Sequence, residues 1–244
     1  MGLPKYFLAL VLTASLSHCI DIDCEFKNDF IHNWGQRYSC RTKKYVIKDD
    51  DRHVKNVSGV HLKNRTNTDV TQYFARNLNI ERFPNGLGDE FVNLEVVRIT
   101  FCGMRLLLKE DMQNLTKLKF LDLISNKIEK IDSDTFALAS NLVEIVMNNN
   151  RLKFIGAFIL EPLKKLEFIS FGGNVCISSH FKYTQEQLSR LIKEITLKCS
   201  DISMADVMKR FDEIDAKFRS LLERLGMNEK FYQKMIESEK KESK

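Results

Sequence analysis

Leu118-Lys119-Phe120-Leu121-Asp122-Leu123-Ile124-Ser125-Asn126 decides the fold, because its apolar and asparagine positions recur every 24 residues. The same frame holds Leu142, Ile145, Met147 and Asn150, and then Leu166, Ile169, Phe171 and Asn174. Counting back gives Leu94, Val97, Ile99 and Cys102, so four units share one register. A unit with apolar residues at its first, fourth and sixth places cannot bury them alone, and neighbours must stack into one continuous core. An asparagine at the ninth place can bond backbone groups of its own and the adjacent turn, which stacking would otherwise strand. Val70, Tyr73, Ala75, Leu78, Ile80 and Phe83 precede this run in the same frame, as a degenerate first unit that lacks the asparagine. Upstream of them, Val57, Val60 and Leu62 read as an edge strand.

The pattern resembles the leucine-rich repeat, over at least residues 94–174. That resemblance implies an α/β chain whose repeats form a right-handed solenoid with a parallel, concave sheet. Cysteine is a recognised substitute in the asparagine slot, so Cys102 is expected to be a reduced, buried ladder thiol. The places that alternate with the core residues should face outward from the strands. They put Val96, Arg98, Phe101, Phe120, Asp122, Glu144, Val146 and Phe168 on the concave face. Protein-binding patches are often built this way, with aromatic anchors inside a polar rim.

Residues 1–19 read as a secretory signal peptide, with the apolar run Tyr6-Phe7-Leu8-Ala9-Leu10-Val11-Leu12 followed by small residues. Cleavage after Ser17 or after Cys19 both fit, and the first would leave Cys19 in the mature chain. No later stretch reaches the roughly 18 to 20 apolar residues of a spanning helix, so a secreted, extracellular protein without a membrane span is expected. In that setting the cysteines become informative. Repeat arrays need caps over the open ends of their cores. Cys24 and Cys40 flank an aromatic-rich segment, read as irregular, and are expected to pair in an N-terminal cap over residues 20–56. Cys176 follows the last repeat, and Cys199 closes a helix expected over Thr184 to Leu197. This pair looks like an abbreviated form of the C-terminal cap of extracellular leucine-rich repeat proteins, here residues 176–200. The family's fuller cap has two disulfides and a tryptophan, and this chain offers neither there. The repeats themselves occupy residues 57–175. Asn56, Asn64 and Asn114 head glycosylation sequons, which a secretory route would make usable.

Residues 201–244 carry a second periodicity. Met204, Val207, Phe211, Ile214, Phe218, Leu221 and Leu225 are spaced alternately by three and four, an a/d seam with Ser203 placed as N-cap. Val207, Phe211, Ile214, Phe218 and Leu221 are therefore candidates for helix association. A coiled coil with a partner helix, in a homo- or hetero-oligomer, and a helix folded back on the repeats both satisfy the stripe.

Chemistry for catalysis is missing. His32, His53, His61 and His180 are widely spaced, without metal-ligand spacing. There is no His-Glu-x-x-His, no Gly-x-Ser-x-Gly elbow and no glycine-rich phosphate loop. We expect no enzyme activity, cofactor or metal. The formal charge of +5 falls to +4 once Lys5 leaves with the leader, too scattered for a nucleic-acid partner. The domain order is similar to that of the secreted leucine-rich immune proteins of mosquitoes and other insects, although this tail is shorter than their coils. The resemblance implies a non-catalytic recognition or scaffold protein of innate immunity, with an extracellular protein ligand on the concave face. An extracellular matrix or adhesive protein, and an inhibitor of a secreted enzyme, fit the same sequence.

Overall fold

The computed structural model describes residues 20–47, 53–182, 184–200 and 204–224 of the 244-residue chain. The leader, Cys19, Ser203 and Leu225 lie outside them. The chain divides into two compact units, Met1–Ser200 and Asp201–Lys244.

The first unit is mixed α/β and is built on a nine-stranded sheet. It opens with β1 (Ile20–Ile31) and β2 (Gly35–Ile47), an antiparallel hairpin, and β3 (Val54–Ser58), which runs parallel to β1 at the sheet's end. Then follow β4 (Gln72–Arg76), β5 (Val96–Thr100), β6 (Phe120–Asp122), β7 (Lys130–Ile131), β8 (Glu144–Val146), β9 (Phe154–Ile155), β10 (Phe168–Ser170) and β11 (His180–Lys182). Strands β2, β4, β5, β6, β8 and β10 pair in parallel, and β11 closes the far edge antiparallel to β10. The two-residue strands β7 and β9 pair separately. A four-residue helix, α1 (Leu87–Glu90), and the longer α2 (Gln185–Lys198) complete the unit.

The 24-residue frame is visible in the strand register. Gln72 pairs with Val96, Val96 with Phe120, Phe120 with Glu144, and Glu144 with Phe168. Each strand therefore lies beside its sequence equivalent in the next turn, and equivalent core residues stack. Leu94, Val97, Ile99, Leu118, Leu121, Leu123, Leu142, Ile145, Met147, Leu166, Ile169 and Phe171 are all buried in one cluster. Val70, Tyr73, Ala75, Ile80 and Phe83 join it, so the degenerate first unit packs like the others.

The asparagines tie neighbouring turns together. Asn126 Oδ1 accepts from the backbone N–H of Cys102 and of Met104, both at 3.1 Å, while Nδ2 donates to the carbonyls of Ile99 and Leu123 at 2.7 and 3.0 Å. Asn150 bonds Ile128 N, Leu123 O and Met147 O in the same manner, and Asn174 bonds Leu152 N, Met147 O and Phe171 O. Cys102 holds the equivalent slot as a buried free thiol, whose Sγ donates to Thr100 O at 3.2 Å. Burial pushes that thiol above its ordinary range, so it stays protonated and inert.

Both cysteine pairs form disulfides, Cys24–Cys40 within the hairpin and Cys176–Cys199 from the last turn to the end of α2. Thr184 caps α2 by accepting from Gln187 N, and Leu191, Ile195 and Cys199 are buried against the last turn. Two sequence expectations need correction here. The segment between Cys24 and Cys40 is not irregular, because Ile20, Ile22, Cys24 and Phe26 alternate inward on a regular strand. The edge strand is Val54–Ser58, while Val60 and Leu62 lie beyond it and are exposed. The chain must leave that strand at Gly59, where φ is +133° and a Cβ would stand 2.2 Å from Cys24 O.

In the second unit, α3 (Met204–Arg224) is amphipathic, with an Arg219–Asp215 pair at 2.9 Å. Ile214, Phe218 and Leu221 are exposed, whereas Leu222, one place off the seam read from the sequence, is buried. The side chains of Val207 and Phe211 lie outside the described residues. No helix of the described residues is long and apolar enough to cross a membrane.

Candidate functional face

The outward face of the parallel strands divides into two lanes. One runs through the third place of each unit, Val96, Phe120, Glu144 and Phe168, and it is covered. The hairpin β1–β2 is much longer than the strands it joins, and its tip passes over them. Asn33 and Gly35 adopt left-handed backbone at φ 70° and 73°, which folds the tip tightly. Trp34 then stacks on Phe120 with ring centroids 5.5 Å apart, and its Nε1 donates to Glu144 at 2.8 Å. Ile31, Val96, Phe120 and Val146 are buried together, with Trp34, Ile124 and Phe168 packed against them. Arg37 adds an ion pair to Glu95 at 3.4 Å. Places expected to face open solvent are therefore the floor of a second, smaller apolar cluster. The reason is plain: no isolated strand pattern reveals that a remote hairpin supplies the missing cover.

The second lane is charged and aromatic. Asp29 binds Arg41 through two bonds, at 2.6 and 2.7 Å, and those bonds hold the guanidinium above its ordinary range against the opposing cost of burial. Arg41 and Arg98 flank the Phe74 ring, 5.1 and 5.0 Å from its centroid. Arg98 in turn reaches buried Asp122 at 3.1 Å. Farther along, Arg76 sits 4.6 Å over the ring of Phe101, which is 46 % exposed. Of the residues expected on this face, Val96, Phe120, Asp122 and Val146 are buried, Arg98, Glu144 and Phe168 half-buried, and Phe101 exposed. The sequence reading missed Trp34, Ile31, Arg41, Phe74 and Arg76. The alternation of Ile20, Ile22, Cys24 and Phe26, followed by Asn33 and Gly35, was the signal that could have found the hairpin.

Replacing Trp34 with Ala should lower the melting temperature without unfolding the chain. A buried Trp→Ala change costs about 3–5 kcal/mol, and Trp34 is half-buried, so about 2 kcal/mol is expected, or roughly 4–8 °C. Phe30, 77 % exposed on the same hairpin, is the control whose alanine variant should melt like the wild type. Equal melting of both variants would mean that the tip contributes nothing on the sheet.

No group of three or more His, Cys, Asp or Glu among the described residues could hold a metal ion. His61 stacks on Phe26 at 3.7 Å and bonds Tyr38 and Asn67 through its two ring nitrogens, a packing role. Asn56, Asn64 and Asn114 are all exposed, the last donating its amide to Asp89.

No protein-family model matches the chain, and no curated protein matches it. Among solved structures, it is similar to part of two structures of the Toll–Spätzle complex of Drosophila, a hub in development and innate immunity, one of them in glycosylated form. The TM-score is 0.42 in both, at 16 % and 19 % identity over 52 % and 44 % of this chain. The aligned part spans only 18 % and 14 % of those chains.

Proposed function

We propose that this chain is a secreted, non-catalytic protein-binding molecule, a capped leucine-rich repeat solenoid that serves recognition or scaffolding in innate immunity of the insect type. The observation that carries the reading is the aromatic and arginine lane of Arg41, Phe74, Arg98, Arg76 and Phe101 on the outward face of a rigid parallel sheet. Arginine and aromatic side chains are the residue types enriched where protein interfaces hold most of their affinity. Two disulfides and three exposed sequon asparagines support an extracellular glycoprotein. The exposed Ile214 and Leu221 support a helical partner for α3, in a homo- or hetero-oligomer.

Site-specific photo-cross-linking tests this reading. A benzophenone side chain placed at Phe74 or Arg41 should give discrete adducts with extracellular proteins of the producing organism. One placed at Gln113 or Ala137, exposed outside the sheet, should give none. At Ile214 it should give an adduct with another helix-bearing chain. Equal labelling from all positions, or none from any, would remove the face as a binding site. The location of the captured partner separates recognition from a matrix role, since a matrix component stays with the tissue.

A further inference from the structure

A third row of residues runs along one edge of the sheet, just past the strand ends. Asn77, Phe101, Ser125, Asn149 and Gly173 occupy equivalent places in successive turns, and all five have positive φ, between 54° and 72°. Asparagine and glycine adopt this left-handed backbone readily, and serine is small enough to follow. Phenylalanine does not, and a bulky residue there is a genuine strain that marks a position held for some purpose. Phe101 is also 46 % exposed, so core packing does not explain it.

Beside Phe101 lies an open groove lined by Asn77, Asn79, Gly103, Ser125, Lys127, Asn149 and Arg151. Its lining contains two cations and no carboxylate. Gly103, with φ +77°, leaves its floor open, and the Lys127 ammonium would be the nearest atom to a Cβ built there, at 3.9 Å. Arg76, over the Phe101 ring, adds a third cation at one end, with no ion pair to it among the described residues. The nearby carboxylate of Glu129 is held directly by Lys153 at 2.8 Å and feels Arg151 only through space, so the lining keeps a net positive charge.

We propose that this edge groove is the docking site for an acidic segment of a protein partner, with Phe101 as the apolar anchor and Arg76, Lys127 and Arg151 as the cations that hold its carboxylates. The groove suits an extended chain, because the turns stack beside one another and present Asn77, Ser125 and Asn149 in a line along its length. Their amides and hydroxyl offer hydrogen bonds to a peptide backbone, and the three cations set its charge. The proposal rests on the protein-binding reading above and adds the partner's chemistry.

The test is fluorescence anisotropy with a fluorescein-labelled peptide of aspartates and glutamates around one tyrosine, titrated with the full chain. Wild-type protein should bind it, and raising the salt from about 50 to 300 mM should weaken binding. Phe101→Asn should weaken binding at least about tenfold. It should also raise the melting temperature by about 2–4 °C, because it removes the backbone strain. A merely structural phenylalanine would give a lower melting temperature instead. Lys127→Glu with Arg151→Glu should abolish binding with little change in melting. A heparin oligosaccharide that binds with the same variant sensitivity while the peptide does not would overturn the peptide assignment. Peptide binding that survives both sets of substitutions would overturn the groove. If cross-linking through Phe74 and Arg41 succeeds while the peptide fails to bind, the protein-binding reading stands and this site falls. Peptide binding here without those adducts would move the binding surface to this edge.

Discussion

Leu121→Asp should leave no folded protein. Leu121 is wholly buried between Val97 and Ile145 in the strand register, so the variant places an unpaired carboxylate inside the apolar cluster. The lost packing and the stranded charge together exceed about 5 kcal/mol. Single domains are stable by only about 5–15 kcal/mol in total, which makes this change decisive. Each turn lends its apolar face to two others, so the loss spreads in both directions along the stack. The measurement is near-ultraviolet circular dichroism across a urea titration. A variant with the wild-type midpoint would show that the 24-residue frame does not place Leu121 in the core.

Asn126→Ala should cost about 3 kcal/mol, since it strips two buried N–H groups and the Ile99 carbonyl of this partner, while Leu123 O keeps Asn150 Nδ2. A side chain of that size on the surface would cost a few tenths. The fitting control is half-buried Asn93, whose amide donates to Thr68 O at 2.7 Å through a solvent-exposed bond and bridges turns in an outwardly similar way. Its alanine variant should stay within about 0.5 kcal/mol of wild type. Urea midpoints of the two variants give the comparison. If they fall together, the ninth-place asparagine is a surface bridge and not a core tie.

The stacked core was legible in the sequence because repetition is its own control. Leu118, Leu142 and Leu166 agree with one another, and any accidental apolar residue would have broken the frame. The disulfides were legible from their place at the ends of that frame. The hairpin tip was not. Ile31 and Trp34 carry no periodic signal, and their partners Phe120 and Glu144 lie far along the chain, so only the folded molecule brings them together. That is why the outward face was read as open when its third-place lane is covered. Nor was the left-handed row legible, since Asn77, Phe101, Ser125, Asn149 and Gly173 share a backbone conformation and not a side-chain type. Phe101 fits an aromatic surface anchor equally well whether its backbone is relaxed or strained.

The bond from Trp34 to Glu144 spans 110 residues of sequence. A stack whose turns touch only their neighbours can build and fray one turn at a time, as a chain of nearly independent steps. The hairpin removes that freedom. Emerging from the ribosome, β1 and β2 are complete long before the strands they clasp have been made, and the contacts of Trp34 with Phe120 and Glu144 must wait for β6 and β8. The complete clasp therefore requires the strands beneath it to be in register. A loosened strand beneath would release it, so the far-reaching tip couples the amino-terminal hairpin to strands far along the chain.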